Sequence, residues 1–150
     1  MNMSTISDAE ILTEYVRRFT IPAGESIKNT REAADNFRAF YNADAAKREQ
    51  FCVCFVNGQH RVLKTETLFV GSLTTSAVYP REVIQRVLDL GAAAVLLAHN
   101  HPSSEVTPSN SDRAVTKKLQ IALNAIDVEL LDHIVIGGTE YFSFSDHHLL

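Results

Sequence analysis

The sequence is poor in cysteine, with two cysteines among 150 residues. Cys52 and Cys54 stand two positions apart in one apolar segment, and that spacing does not suit a disulfide across a single extended strand. No further cysteine is present, which excludes a cysteine-rich metal knuckle. We therefore expect both thiols to be buried in the core.

Long apolar runs are also missing. No run approaches the ~18 residues that a membrane-spanning helix needs. The segment Met1 to Thr5 lacks the basic-then-apolar order of a signal peptide. The sequence therefore predicts a cytoplasmic protein with no membrane contact.

The chain has no surplus of positive charge, because 14 lysines and arginines face 18 acidic residues and give a net charge of −4. Tight nucleic-acid binding through charge alone is therefore not expected, although the total leaves room for a local patch such as Lys117-Lys118. The length and the hydrophobic content of 45% predict one globular domain.

Helical and strand patterns alternate along the chain. Ser7 and Glu10 have the form of a capping box before an amphipathic helix, and Asn57-Gly58, the dipeptide favoured in two-residue turns, predicts a hairpin. The other predicted elements are a helix from Asn29 or Thr30, strands over 51–56 and 61–70, a loop over 71–79, a helix over 80–90, a strand over 92–98, a loop over 102–109, a helix from Asn110, and strands over 130–136 and 141–144. This interleaving predicts an α/β sandwich around a central mixed sheet.

The clearest chemical signal is the pair His99 and His101, which closes the apolar run 92–98. Side chains alternate along a strand, so residues two apart share one face. Asp112 follows His101 by eleven positions, and the intervening loop would bring its carboxylate back. Two imidazoles, one carboxylate and a position open to water form the ligand set of catalytic zinc sites.

Asp112 also has an interpretation that needs no metal. Ser109 precedes it by three residues, so Ser109 could cap the next helix while Asp112 accepts a hydrogen bond from the cap N–H. Spacing alone leaves the metal and the capping interpretations open. A two-histidine, one-carboxylate iron site has the same ligands, but no second strand-borne ligand set supports an oxygenase.

The segment 99–112 resembles the JAMM (MPN+) metalloprotease motif, in which a histidine pair is followed after seven residues by serine and after two more by aspartate. His-Asn-His-Pro-Ser at 99–103, Pro-Arg-Glu-Val at 80–83, Leu-Leu-Asp-His-Ile at 130–134 and Tyr-Phe-Ser-Phe at 141–144 resemble the RadC family of bacterial JAB-domain proteins. This resemblance covers residues 25–150. It implies one JAB/MPN-type, cytidine-deaminase-like α/β domain, a mixed sheet flanked by helices, with residues 1–24 as an N-terminal helix.

The resemblance also implies roles for five residues. His99, His101 and Asp112 match the zinc ligands of the family. Ser109 matches the serine whose hydroxyl stabilises the oxyanion of a tetrahedral intermediate. Glu49, just before the strand 51–56, matches the location of the glutamate that deprotonates the zinc-bound water. The implied cofactor is Zn²⁺, and the implied substrate is a peptide or protein tail cleaved at a peptide or isopeptide bond.

Some positions are assigned less directly. Glu49 is placed by topology, so Glu66 is its rival as general base. Asn100 stands where JAMM isopeptidases usually have serine or threonine, although asparagine is the RadC form, and it is expected to be a structural hydrogen-bonding residue on the opposite face. His133 is either a structural histidine or a support beside the site. The sequence shows no match to the helix-hairpin-helix region of longer RadC proteins, which leaves the substrate open.

These residues are compatible with three functions. The first is a zinc-dependent peptidase or isopeptidase of JAMM type. The second is a non-enzymatic JAB scaffold, as in relatives that have lost ligands, and the intact ligand set argues against it. The third is a metal-dependent protein linked to DNA repair or nucleic-acid processing, since a metal-activated water can also attack a phosphodiester. The oligomeric state is left open.

Overall fold

The computed structural model describes residues 5–43, 48–71 and 78–150. Its helices are α1 (Asp8–Phe19), α2 (Thr30–Asn42), α3 (Pro80–Leu90) and α4 (Asn110–Asn124). Its strands are β1 (Gln50–Val56), β2 (Val62–Val70), β3 (Ala94–Asn100), β4 (Glu129–Gly137) and β5 (Glu140–Ser143). Most of the predicted loop 71–79 lies outside the described residues. No helix in the described ranges is both long enough and apolar enough to cross a membrane.

The five strands form one mixed sheet in the order β2-β1-β3-β4-β5. β1 is antiparallel to β2 and β3, β3 is parallel to β4, and β4 is antiparallel to β5. Parallel neighbours need a crossover connection, and α4 supplies it between β3 and β4. The predicted α/β class, a mixed sheet flanked by helices, is confirmed.

Helices cover both faces of the sheet, so the interior strand β1, between β2 and β3, is buried along its whole length. Phe51, Val53 and Phe55 pack in the cluster that includes residues of α3 and α4. Cys52 and Cys54 point the other way, into the cluster that includes residues of α2. Both thiols are free and buried, as predicted.

The same alternation divides the end of β3 between the two faces. Val95 and Leu97 belong to the α3/α4 cluster, whereas Leu96 and Ala98 belong to the α2 cluster. His99 therefore continues the α4 side, and the next residue along the strand continues the α2 side.

The predicted β1–β2 hairpin is confirmed, but Asn57-Gly58 does not form the two-residue turn that this dipeptide favours. Val56 pairs with Val62, so residues 57–61 form a five-residue connection. The Asn57 side chain accepts hydrogen bonds from the backbone N–H groups of Gln59 and Arg61. This side-chain-stabilised turn replaces the tighter one, and His60 rather than the glycine has the left-handed backbone, with φ 58°.

Gly137 allows the loop 101–109 to lie against the end of the sheet. A Cβ at this position would lie 2.8 Å from the Ser104 carbonyl oxygen and 2.8 Å from Val106 Cγ1. Only a residue without a side chain fits there. The close approach brings the chain back from β3 to the start of α4.

Candidate metal centre

The three predicted ligands meet where β3 ends and α4 begins. His99 is the second-last residue of β3, and His101 follows the strand directly. Asp112 is in the first turn of α4. One ligand atom from each residue lies within 4.8 Å of the others, and the group could hold a metal ion. The structure therefore brings together the residues that the sequence selected.

The distances within this cluster suit a small cation. His99 Nε2 and His101 Nε2 are 2.9 Å apart, and Asp112 places Oδ1 3.1 Å from His99 Nε2 and Oδ2 3.4 Å from His101 Nε2. Zinc bonds of 2.0–2.2 Å in a tetrahedron would separate two ligand atoms by about 3.3 Å. The three side chains thus fit a tetrahedral ion with little movement.

The cluster is closed on one side and open on the other. The side chains of His99 and Asp112 are 0% and 2% exposed, whereas that of His101 is 17% exposed. His101 also lines a cavity of about 240 Å³ together with Asn100, Pro102 and Ile136. A ligand from solvent would therefore reach the cluster from the His101 side.

Hydrogen bonds between Asp112 and the two histidines shift the pKa values of the cluster. Burial alone would raise the pKa of Asp112, but hydrogen bonds from His101 and His99 outweigh it and hold this pKa well below its usual range. The hydrogen bond with Asp112 is the main cause that raises the pKa of His101, and the charge of Glu49 adds to it.

Asp112 performs the capping role as well. The Ser109 hydroxyl accepts a hydrogen bond from the Asp112 N–H at 3.0 Å, and the Ser109 N–H donates to Asp112 Oδ2 at 2.7 Å. This is the reciprocal capping box at the start of α4. The capping and metal interpretations are compatible, because the cap fixes the carboxylate with Oδ1 aimed at His99.

The hydrogen-bond partner of His101 determines which of its ring nitrogens faces the cluster. Nδ1 lies 2.6 Å from the Glu105 carbonyl oxygen. A carbonyl oxygen only accepts, so Nδ1 carries the hydrogen. In the neutral ring, Nε2 then presents its lone pair to the cluster.

A longer chain of hydrogen bonds fixes His99 in the same way. Thr116 donates its hydroxyl hydrogen to the Asp112 carbonyl oxygen at 2.7 Å, so its oxygen accepts from His133 Nδ1 at 2.5 Å. Burial, followed by the charge on His99, lowers the pKa of His133 far below its ordinary value, so this ring is neutral. His133 Nε2 must therefore accept from His99 Nδ1, 2.8 Å away.

We name the chain His99–His133–Thr116 the histidine relay. It leaves His99 Nε2 without a hydrogen in the neutral ring and aims that lone pair at the lone pair of His101. Two lone pairs and a carboxylate converging in a buried place favour a cation between them. The His133 ring is held by stacking on Phe144, with centroids 4.8 Å apart.

Sequence reasoning found the cluster but missed the relay. Thr116 was not selected, although it lies one helical turn after Asp112 and so shares its face of α4. The sequence allows either a structural or a supporting role for His133, and the structure shows a direct hydrogen bond between His133 and His99. The pairing of His133 with Leu97 on the parallel strand β3 determines this contact, and that pairing was not predicted.

The two candidate bases lie in different surroundings. Glu49 is half-buried immediately before β1 and close enough to raise the pKa of His101. Glu66 lies on β2, with Arg86 Nε 2.5 Å from its carboxylate and Lys64 Nζ at 3.4 Å. The hydrogen bond from Arg86 lowers the pKa of Glu66. Glu66 therefore forms ion pairs with basic side chains of β2 and α3.

A mixed sheet with two histidines at the end of one strand and an aspartate at the start of the next helix defines an α/β protein with a candidate mononuclear metal centre. The model of the RadC-like JAB domain family matches residues 27–149. The chain belongs to this family, which confirms the resemblance in its motifs.

Several relatives are similar over different lengths. UPF0758 protein YeeS of Escherichia coli K12 is 45% identical over 127 residues, which cover 85% of this chain and 84% of YeeS. UPF0758 protein YfjY of the same strain is 45% identical over 104 residues, covering 69% of this chain and 65% of YfjY. A UPF0758 protein of Actinobacillus pleuropneumoniae serotype 5b is 47% identical over 103 residues, but the match covers 47% of that protein. The chain thus spans most of YeeS and about half of the Actinobacillus relative.

Proposed function

We propose that the chain is a zinc-dependent hydrolase of JAMM type that cleaves peptide or isopeptide bonds. The observation that carries this proposal is the convergence of two imidazole lone pairs and one carboxylate at a buried place with one open side. Membership of the RadC-like JAB domain family supports the same conclusion.

Zn²⁺ is the ion that we propose for the cluster. Two nitrogen donors and one oxygen donor are a ligand set that zinc accepts, and three protein ligands leave a position for water. When bound there, zinc would acidify that water and polarise the carbonyl of a substrate. His99, His101 and Asp112 would hold it.

The neighbouring residues have separate tasks in this proposal. Glu49 takes a proton at its carboxylate from the attacking water and returns it to the leaving amine. Ser109 uses its hydroxyl oxygen as an acceptor in the cap, which leaves its O–H to donate to an oxyanion. The exposed edge of His101 marks the side from which the substrate carbonyl approaches.

Hydrolysis by the full chain tests this function. We expect the Zn²⁺-loaded protein to cleave members of a fluorogenic peptide library or a peptide linked through a lysine side-chain amide. A chelator should abolish the turnover and added Zn²⁺ should restore it. A protein that binds Zn²⁺ and cleaves none of these substrates, or that cleaves them equally after chelation, would contradict the proposal.

The histidine relay gives a prediction about metal affinity. Thr116→Val keeps the shape of the side chain but removes the oxygen that accepts from His133 Nδ1. The relay then no longer fixes the tautomer of His99, and we expect Zn²⁺ to bind about 10–100-fold more weakly. A competition titration against a zinc-binding dye measures this change.

Thr116→Ser is the matched control, because it retains the hydroxyl at the same position. We expect its Zn²⁺ affinity to be within a few-fold of that of the wild type. Equal weakening in the valine and serine variants would show that packing around Thr116, rather than its hydrogen bond, matters.

A further inference from the structure

Asn100 lies between the two histidines but uses its side chain on the other face of β3. Its Oδ1 accepts a hydrogen bond from the Gln50 N–H at 2.7 Å, and its Nδ2 donates to the Arg48 carbonyl oxygen at 3.0 Å. These two backbone groups flank Glu49 on both sides. One carboxamide therefore holds the backbone immediately before and after the proposed base.

The hydrogen bonds of the Asn100 side chain lie just beyond the end of the regular pairing between β1 and β3. The β1–β3 ladder runs from Val56 opposite Ala94 to Phe51 opposite His99. Beyond Phe51, the bonds of the Asn100 side chain take the place of further pairing between the two strands. The Glu49 carbonyl oxygen accepts a third bond, from the Gly71 N–H at 2.8 Å.

The residue next to the base is anchored as well. The Gln50 side chain accepts a hydrogen bond from the Thr67 hydroxyl at 3.1 Å, and its carbonyl accepts from the Tyr41 hydroxyl at 3.4 Å. Gln50 is buried, with 6% of its surface exposed. Because these bonds fix the backbone on both sides of Glu49, they also fix the position from which its side chain extends.

We infer that Asn100 is a positioning residue that holds Glu49 beside the metal centre. The inference rests on the proposed function, because it takes Glu49 as the general base. Asparagine suits the task since its rigid amide has an acceptor and two donors, whereas an ionised aspartate only accepts. The segment 99–101 thus presents the metal ligands on one face of β3, while the Asn100 side chain on the other face holds the backbone on both sides of Glu49.

Kinetics of Asn100→Ala test this role. A misplacement of about 1 Å at a reacting group can reduce the rate about 100-fold, so we expect kcat to fall about 10–100-fold. KM and Zn²⁺ affinity should change less than about threefold, because neither depends on the proton transfer by Glu49. Asn124→Ala is the control, since Asn124 is exposed at the far end of α4, and it should retain the wild-type kcat.

A double variant separates positioning from general stability. In a Glu49→Gln background, Asn100→Ala should cause no further loss of kcat, because the group that it positions has been removed. Two losses that multiply, or an unchanged kcat in the single variant, would overturn the inference.

Crystal structures of the wild type and of Asn100→Ala give a readout that needs neither turnover nor metal. We expect the Glu49 carboxylate to move by at least about 1 Å relative to His101 in the variant, while His99, His101 and Asp112 superimpose. If the wild type proves inactive but Glu49 moves, the proposed function fails and the positioning role stands. If Glu49 keeps its place, the positioning role fails whatever the activity.

Discussion

Glu49→Gln is expected to lower kcat for peptide or isopeptide hydrolysis by about 10²–10⁴-fold, the usual contribution of a general base. The amide has nearly the same shape as the carboxylate but does not take a proton from water. Zn²⁺ binding should be unchanged, since His99, His101 and Asp112 are intact. Steady-state kinetics together with the zinc content of the purified variant measure both effects.

Glu66→Gln is the matched control for this experiment. Its carboxylate pairs with Arg86 and Lys64, so the substitution removes ion pairs of β2 and α3. We expect kcat to stay within a few-fold of the wild-type value. If Glu66→Gln abolishes hydrolysis and Glu49→Gln does not, the assignment of the base is wrong.

The double variant His99→Ala/His101→Ala is expected to lose Zn²⁺ altogether. Asp112 alone provides one carboxylate, and a single carboxylate does not hold zinc at micromolar concentrations. In the wild type, free Zn²⁺ at about 1,000 times its dissociation constant would raise the free energy of unfolding by about 4 kcal/mol. Thermal unfolding with and without a chelator should therefore show a shift in the wild type and none in the variant.

His147→Ala/His148→Ala provides the control for a double histidine replacement. Both side chains are exposed near the end of the chain, and Zn²⁺ binding and the chelator-dependent shift should persist in this variant. Retention of one zinc per chain by His99→Ala/His101→Ala would place the ion elsewhere and contradict the assignment.

Local rules explain why the candidate ligands could be selected from the sequence. The period of two along a strand places His99 and His101 together, and the spacing of a capping box places Asp112 at the start of α4. Both rules act over a few residues and need no knowledge of the tertiary structure. Spacing left the metal and capping interpretations of Asp112 open, and the structure shows that one carboxylate serves the cap with Oδ2 and faces His99 with Oδ1.

The surroundings of the ligands depend on contacts that are distant in sequence. His133 reaches His99 because β4 pairs with β3 in a particular register, and Asn100 reaches the residues around Glu49 because β1 pairs with β3. Sequence patterns identify a strand but leave its register open. The turn after Asn57 shows the same limit, since side-chain bonds to Gln59 and Arg61 override the preference of the Asn-Gly dipeptide.

The histidine relay and the Asn100 contact share a structural logic. Each uses polar side chains that do not face the ion to fix a group of the candidate site, one by selecting a tautomer and the other by holding a backbone segment. Such supporting residues often matter for metal affinity and for rate as much as some groups that touch the ion. In this chain the relay residues and Asn100 connect β1, β3, β4 and α4 around the candidate metal centre.

X-ray diffraction from crystals grown with Zn²⁺, recorded on both sides of the zinc absorption edge, would show whether the ion binds between His99, His101 and Asp112. We expect one anomalous peak, bonded by Nε2 of His99, Nε2 of His101 and a carboxylate oxygen of Asp112, at zinc distances of about 2.0–2.2 Å. A map without a peak among these three side chains, at a Zn²⁺ concentration well above that of the protein, would contradict this expectation.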